Sequence, residues 1–354
     1  MDRTAGAIMG ALIGDALGLG CHWYYDLAEM RRDYGDWVSG YTTPKPHRYH
    51  GGMQAGQLSQ AGHIFVMLLR SVTEHGEYRE DDFTRRLDEE LFPLLNGEPV
   101  FGPGGYTNQS IREAYRRRVE QKKSWQETGG HADTTESAER AIVLAALYTK
   151  QPKKAAESIV SNCRLTQCDE AIIAMSTAFN MVLSQLISGE KLTPAISGKL
   201  MQLVHDGELP FHAVTKRDSS APRPGDPDPP LAGRFSSPDA LLSPQYMALA
   251  AIDSGIKIEP AWKASIVYGM PCAIYHQLPA AYYLAARFSD DFESAVLHAL
   301  NGGGQNMSRA MLTGALVGAQ VGLEGIPKRF LDELDNGQEL LGLAKKLATL
   351  INNQ

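Results

Sequence analysis

Apolar residues recur with the spacing of a single helix face along most of the 354-residue chain. Segments such as AGAIMGALIGDALGLG, AGHIFVMLLRSVTEHG, DEAIIAMSTAFNMVLSQLISG and MLTGALVGAQVGL place them at i, i+3, i+4 and i+7. The alternation of apolar and polar residues that is typical of a half-buried strand is nearly absent. The pattern therefore predicts an all-α protein.

Small residues and start signals refine this picture of helices. Ala and Gly on helix faces let two helix axes approach closely, which favours a compact, many-layered bundle. No heptad repeat runs far enough for a coiled coil. Polar residues that cap helix starts precede two of the apolar patterns, at Asp133-Thr134-Thr135-Glu136 and at Ser236-Ser237-Pro238-Asp239.

One proline-rich stretch interrupts the helical pattern. Thr215–Ala240 has six prolines in twenty-six residues, which is typical of an exposed segment with polyproline character. The helices on either side are alike in composition, so we predict a single all-helical domain over residues 1–354, with a surface insertion at about 215–240. A linker between two domains is the alternative.

Composition excludes several classes of protein. The net charge of −7 and pI near 5.8 argue against nucleic acid as a partner, because neutralising the many phosphates of its backbone needs a basic face. We see no uncharged apolar run long enough to span a bilayer, so no membrane partner is expected. The four cysteines are scattered without metal-ligand or redox spacing, which predicts reduced thiols and a cytoplasmic protein.

Two glycine-rich loops are candidates for ligand binding. Such a loop ahead of a helix can bring backbone N–H groups towards an anion such as phosphate. A tight connection between helices is the alternative. The candidate residues are Gly105 and Tyr106 in the first loop, and Gly303, Gly304, Gln305 and Asn306 in the second.

Four motifs, in one order along the chain, together resemble the ADP-ribosylglycohydrolase family. They are GAIMGALIGDALG at 6–18, GQLSQAGHIFVMLLRSV at 56–72, TTESAERAIVLAALY at 134–148, and the long segment 278–322. The fourth is the most specific, because a long helical pattern, a Gly-Gly loop and a small-residue helix occur together in it. The resemblance extends over roughly residues 4–325 and implies an all-α orthogonal bundle around a cleft.

The resemblance also implies a chemistry that this sequence does not fully support. In that family two magnesium ions are held by a Thr-Asp-Asp motif and a Gly-Gly-Asp-x-Asp-Thr motif, and they assist cleavage at the ribose anomeric carbon. Here Ser59-Gln60-Ala61-Gly62 stands at the first motif, and Gly304 and Asn306 occupy the two aspartate positions of the second. Gln167 stands at a histidine position.

The absence of these acidic residues determines which cofactors we expect the protein to bind. Magnesium is a hard cation that needs several anionic oxygens, and two amide side chains do not replace them. We therefore expect no metal and no cofactor, and magnesium only if the family site is retained in some other form. The segment HWYYD at His22–Asp26 further resembles a branch of the family that includes the jellyfish J-type crystallins and the selenoprotein J group.

Three titratable residues complete the candidate cleft. Asp15 lies inside an apolar helix, where a carboxylate is costly unless it is paired. It is either a hydrogen-bonding residue at the base of the cleft or a cap bonded to neighbouring backbone. His22 starts an aromatic cluster that either lines a pocket or packs in the core. His63 directly follows the altered Thr-Asp-Asp motif, and it is the residue that we would assign to acid–base catalysis if any survives.

Two functions remain open at this point. The first is a non-hydrolytic protein that binds an ADP-ribose-like small molecule in the old cleft, or that has a structural, crystallin-like role. The second is a glycohydrolase with changed, metal-independent chemistry, because Ser, Gln and Asn rather than apolar residues occupy the former ligand positions. The sequence does not indicate the oligomeric state.

Overall fold

The protein is described by a computed structural model that covers residues 2–95, 102–216, 220–227 and 233–352. Over this part it has sixteen α-helices and three isolated β-bridges but no strand, so the predicted all-α fold is confirmed. The helices are α1 Arg3–Leu19, α2 Leu27–Tyr34, α3 Gln60–His75, α4 Glu80–Arg86, α5 Gln109–Tyr115, α6 Glu136–Leu147, α7 Pro152–Arg164, α8 Glu170–Ile187, α9 Ile196–His205, α10 Asp239–Ile252, α11 Ala264–Tyr268, α12 Ile274–Arg287, α13 Phe292–Leu300, α14 Asn306–Val321, α15 Lys328–Asp332 and α16 Gly337–Asn352.

Helices α1 and α14 have the most extensive contact of any helix pair in the described residues, although they lie at opposite ends of the chain. A Cβ atom added at Gly10 would lie 2.1 Å from the carbonyl oxygen of Gly314, and one added at Gly314 would lie 2.1 Å from that of Gly10. Only glycine permits this approach. The same contact repeats along both helices, with Gly6, Gly14 and Gly18 of α1 against Gly318, Ala310 and Met307 of α14.

Helices α6, α8 and α12 surround this central pair and bury most of their length. Within the described ranges α8 is the one helix long and apolar enough to cross a bilayer, with a mean hydropathy of 1.4, which differs from our expectation that no segment qualifies. However, 78% of that helix is buried inside the protein, as a core helix of a globular fold would be.

The structure corrects one predicted element boundary. The apolar pattern from Pro279 to Leu300 suggests continuous helix, but α12 begins earlier, at Ile274, and ends at Arg287. A separate helix, α13, follows, because the Asp291 carboxylate accepts a hydrogen bond from the Ser294 backbone N at 3.0 Å and so caps a new start.

The described part of the proline-rich insertion is anchored at its two ends. Rings of Phe211 and Phe235 lie 4.9 Å apart, and the backbone N of Phe235 donates to the carbonyl of Pro210 at 2.8 Å. Residues 217–219 and 228–232 of the predicted insertion lie outside the described residues.

Candidate functional site

The base of the site joins α1 to the start of α3. Ser59 caps α3 by accepting hydrogen bonds from the backbone N atoms of Ala61 and Gly62. It also donates to the buried carboxylate of Asp15, from its backbone N at 2.8 Å and from Oγ at 2.5 Å. Burial raises the pKa of Asp15 to about 6, because the bonds from Ser59 only partly offset the loss of water.

Gln60 fixes a neighbouring loop. Its Nε2 donates to the carbonyl of Pro103 at 2.5 Å, and its Oε1 accepts from the backbone N of Asn108 at 3.0 Å. Both ends of this buried amide are therefore used by the segment 102–108, which we call the covering loop. Gly105 closes a turn in that loop by donating to the carbonyl of Gly102 at 3.1 Å.

The second glycine loop is bound to the segment that follows α1. The backbone N of Gly304 donates to the carbonyl of Tyr24 at 2.7 Å, and the backbone N of Trp23 donates back to Gly304 at 3.1 Å. Gly303 and Gly304 have φ values of +64° and +58°, a conformation that glycine adopts most readily. A Cβ at Gly304 would also lie 2.5 Å from the carbonyl oxygen of Met270.

Asn306, the first residue of α14, is turned inwards. Its Nδ2 lies 3.0 Å from the carbonyl oxygen of Cys21, 3.2 Å from its Sγ and 3.4 Å from the carbonyl oxygen of Leu300. Its Oδ1 lies 3.4 Å from Nδ1 of His22. The side chain therefore links the start of α14 to the end of α1.

Gln305 and Gln167 are also hydrogen-bonded to protein groups at both ends of their amides. Gln305 donates from Nε2 to Oγ of Ser308 at 2.7 Å and accepts from Sγ of Cys272 at 3.4 Å. Gln167 donates from Nε2 to the carbonyls of Ala132 and Thr134 at 2.8 and 2.9 Å, and its Oε1 accepts from the backbone N of Ser137 at 3.2 Å. The side chain of Gln167 therefore links the backbone at Ala132 and Thr134 to the backbone at Ser137.

Tyr106 brings an aromatic cluster together over the end of α1. Its ring centroid lies 5.7 Å from His22, 5.8 Å from Trp23, 5.5 Å from Tyr49 and 5.1 Å from His50. The cluster that the sequence placed at His22–Asp26 therefore includes rings from two further segments. The sequence pattern did not predict that Tyr49 and His50 would join this cluster.

His63 lies on a different cavity from these groups. It lines a space of about 460 Å³ together with residues of the C-terminal region and the covering loop. Burial lowers its pKa, and the charge of Arg70 lowers it further, while Asp335 opposes the shift. The main lining residues are Met53, Val66, Arg70, Pro103, Asp335 and Glu339.

Two buried charged groups were not found by sequence reasoning. Glu139 of α6 accepts a hydrogen bond from Oγ1 of Thr135 at 2.5 Å, and burial raises its pKa to about 7, with the neighbouring charges of Glu136 and Asp15 contributing. The signal that could have found it is three charged residues within five positions of an otherwise apolar helix, Glu136, Glu139 and Arg140.

The second of these is Arg309 of α14, which lies beneath the glycine loop. It is fully buried and donates from Nη2 to the carbonyl of Gly303 at 2.5 Å, from Nε to the carbonyl of Ala299 and from Nη1 to Gln277. Over the described residues no carboxylate forms an ion pair with it. Burial lowers its pKa to about 9.

Comparison with known proteins identifies the family of this chain. The family model described as ADP-ribosylglycohydrolase matches residues 1–354, and the chain therefore belongs to the ADP-ribosylglycohydrolase family, as its motifs predict. A solved structure described as an ADP-ribosylglycohydrolase-related protein complex has a TM-score of 0.62 and 20% identity, covering 99% of this chain and 98% of that one. This likeness shows a shared fold. No curated protein matches the chain.

Proposed function

We propose that this chain is a non-hydrolytic member of its family, which binds a small molecule of the ADP-ribose class in the cleft without a magnesium pair. The observation that carries the proposal is the inward orientation of Asn306. At a position where the family places a metal-binding aspartate, its amide hydrogen-bonds to Cys21, Leu300 and His22. The side chain therefore holds the scaffold through protein partners instead of serving as a metal ligand.

The donor set around the cleft does not fit two magnesium ions. Oγ of Ser59 donates to Asp15, and Oε1 of Gln60 already accepts from the covering loop. Two further buried carboxylates, Asp15 and Glu139, already accept hydrogen bonds from Ser59 and Thr135. The unpaired guanidinium of Arg309 adds positive charge under the glycine loop. This charge disfavours a dication and favours an anionic ligand.

As part of the same proposal, this chain belongs to the branch of the family that includes the J-type crystallins and the selenoprotein J group. The segment His22–Asp26 supports it, because the backbone of this segment pairs with the glycine loop at Gly304. Asp26 also caps α2 by accepting from the backbone N of Ala28 at 2.8 Å. Such a well-tied segment suits a protein selected for stability as much as one selected for catalysis.

Binding and hydrolysis can be tested separately. Thermal unfolding is followed with ADP-ribose, with and without magnesium, since a ligand at 100 times its Kd stabilises by about 2.7 kcal/mol. We expect stabilisation that does not depend on magnesium, and no release of ADP-ribose from a modified protein. Magnesium-dependent release that Ser59→Ala or Asn306→Ala abolishes would overturn the proposal.

One observation favours a second function, metal-independent cleavage of a glycosidic bond. Glycosidases use two carboxyl groups, one of them protonated near neutral pH. Asp15 and Glu139 are two buried acids whose charges interact, with pKa values raised to about 6 and about 7. If this function holds, ADP-ribose release should proceed in a chelator, and Glu139→Gln should abolish it while leaving ADP-ribose binding intact.

A further inference from the structure

We infer that Nε2 of His22 and Nε2 of His50 hydrogen-bond to two adjacent hydroxyl groups of a sugar, in the space that the ring of Tyr106 now closes. This inference rests on the proposed function and assigns the groups that hold the sugar of the ligand. It gives the aromatic cluster a role that neither the family motifs nor the metal positions supply.

The tautomer of His22 follows from Asn306. Nδ2 of Asn306 faces three acceptors, the oxygen and sulfur of Cys21 and the carbonyl oxygen of Leu300, so the atom towards His22 is Oδ1. An amide oxygen only accepts, and Nδ1 of His22 therefore carries the proton. Nε2 is left as an acceptor with a free lone pair.

Both histidines have an unused nitrogen. His22 is 2% exposed and His50 is 4% exposed, and Nε2 of each has no hydrogen-bond partner. Their ring centroids lie 5.2 Å apart. A buried polar atom without a partner is costly and therefore rare, and two on adjacent rings point to a ligand that satisfies both.

The surroundings favour hydroxyl donors over a metal ion. The charged side chain beside the pair is Arg48, which donates from Nη2 to the carbonyl of Trp23 at 2.8 Å and forms an ion pair with Glu29 at 3.3 Å. A cation next to two neutral imidazoles repels a second cation. Metal sites usually supply three or four protein ligands, whereas hydroxyls on neighbouring sugar carbons need only two acceptors.

Aromatic rings form the walls of this space. The Trp23 ring lies 4.7 Å from that of Tyr49, nearly perpendicular to it. Trp23 has a φ of +64°, which is unusual for a bulky residue, and its backbone is held by Gly304 and Arg48. The rings therefore form a fixed apolar frame, against which the C–H face of a sugar can pack.

The ring of Tyr106 must move before a sugar can reach the two histidines. It contacts both histidines from the covering loop, where the side chain of Gln60 provides the two bonds described above. Gly104 and Gly105 precede it, and glycine places few steric limits on a change of backbone conformation. We expect displacement of this ring to expose both Nε2 atoms, because it lies against both histidine rings.

The test uses the full chain with ¹⁵N-labelled histidine, and the Nε2 resonances of His22 and His50 are followed by NMR. We expect both to shift with D-ribose and with ADP-ribose, and neither to shift with tetrahydrofuran, the same ring without hydroxyls. Tyr106→Ala should bind D-ribose about tenfold more tightly, because no ring has to be displaced. Tyr246→Ala, at an exposed tyrosine of α10, should not alter binding.

The outcomes separate this inference from the proposed function. If ADP-ribose binds but neither Nε2 resonance moves, the inference is wrong and the proposed function stands. If D-ribose moves both resonances but ADP-ribose does not bind, the proposed function is wrong. Binding of Zn²⁺ that shifts both resonances, with no response to either sugar, would overturn the hydroxyl assignment. The NMR measurement is made on the protein with both histidines in place, so it does not depend on whether a histidine variant folds.

Discussion

Ser59 donates two hydrogen bonds to the Asp15 carboxylate, one from the backbone at 2.8 Å and one from the hydroxyl at 2.5 Å. This relationship ties the start of α3 to the middle of α1 across forty-four residues of sequence. It also leaves a titratable group fully buried between these two helices. The stability of the fold should therefore respond to the ionisation of Asp15.

The first prediction concerns pH. The pKa of Asp15 rises from 3.8 to about 6 on folding, so the folded protein holds this proton more tightly than the unfolded chain. Its contribution is complete below pH 3.8 and is lost as pH rises through about 6, a change of about 3 kcal/mol. Asp15→Asn should lack this loss, as urea unfolding of both proteins at about pH 4 and pH 7 would measure. A parallel pH dependence would contradict it, and Glu324→Gln on the surface is the control.

A second prediction concerns the glycine contact between α1 and α14. Gly10→Ala should destabilise the protein by about 3 kcal/mol or more, because the new Cβ would meet the backbone of Gly314 at 2.1 Å. Gly198→Ala is the matched control, since it lies in α9 with nothing within 4 Å of its added Cβ. It should stabilise by about 0.5 to 1 kcal/mol through better helix propensity. Equal effects in urea unfolding would contradict the contact.

Arg140 gives a third prediction. Its guanidinium contacts both carboxylate oxygens of Glu136 at 2.5 Å, Oγ1 of Thr166 at 2.9 Å, and Asn162 at 2.7 Å and 2.6 Å. Lysine keeps the charge but cannot donate in all these directions. Arg140→Lys should therefore cost about 3 kcal/mol of unfolding free energy. The same change at exposed Arg85 should cost under about 1 kcal/mol, and a loss that small at Arg140 would show that the network is dispensable.

The covering loop can be tested by hydrogen exchange. Gln60→Ala removes the bonds to Pro103 and Asn108, so amides of residues 102–108 should exchange at least about tenfold faster. Global stability should fall much less than the loop protection. Gln202→Ala on the surface of α9 should leave exchange in this loop unchanged. Unaltered exchange in Gln60→Ala would mean that the rings around Tyr106 alone hold the loop.

Thiol reactivity provides a fifth prediction. Cys168 is exposed and Cys272 is half-buried, whereas Cys21 and Cys163 are buried. Burial raises the pKa of Cys21 to about 12 and that of Cys163 to about 11, which leaves little thiolate near neutral pH. A disulfide reagent should modify Cys168 quickly, Cys272 slowly, and the other two only in denaturant. Cys168→Ser should remove the fast phase, and four equal rates would contradict the described burial.

The helices could be predicted from sequence because the apolar residues on the buried face of each helix recur at helical spacing within the helix itself. The pattern from Ala5 to Gly20 corresponds closely to α1, Arg3–Leu19. The boundary at Pro279 could not be predicted in this way, because proline is typical of a helix start and here lies inside α12. Packing on neighbouring helices outweighs the local signal.

The candidate site was less predictable, because its geometry depends on residues far apart in the chain. Ser59, Gln60 and Asn306 follow from aligned motifs, and the structure places each at a helix start. That Asn306 would orient His22, or that His50 would lie beside it, has no local signature. The burial of Glu139 and Arg309 is likewise a product of the assembled bundle.

The pairing of α1 with α14 has a consequence for biosynthesis. Gly10 leaves the ribosome 304 residues before Gly314, its closest partner, since 314 minus 10 is 304. At roughly 5 to 20 residues per second, the newly made first helix waits about 15 to 60 s for the surface that covers it. During that interval its apolar, glycine-lined side is a ready target for chaperones. The nascent chain thus has a long vulnerable period that the finished protein does not reveal.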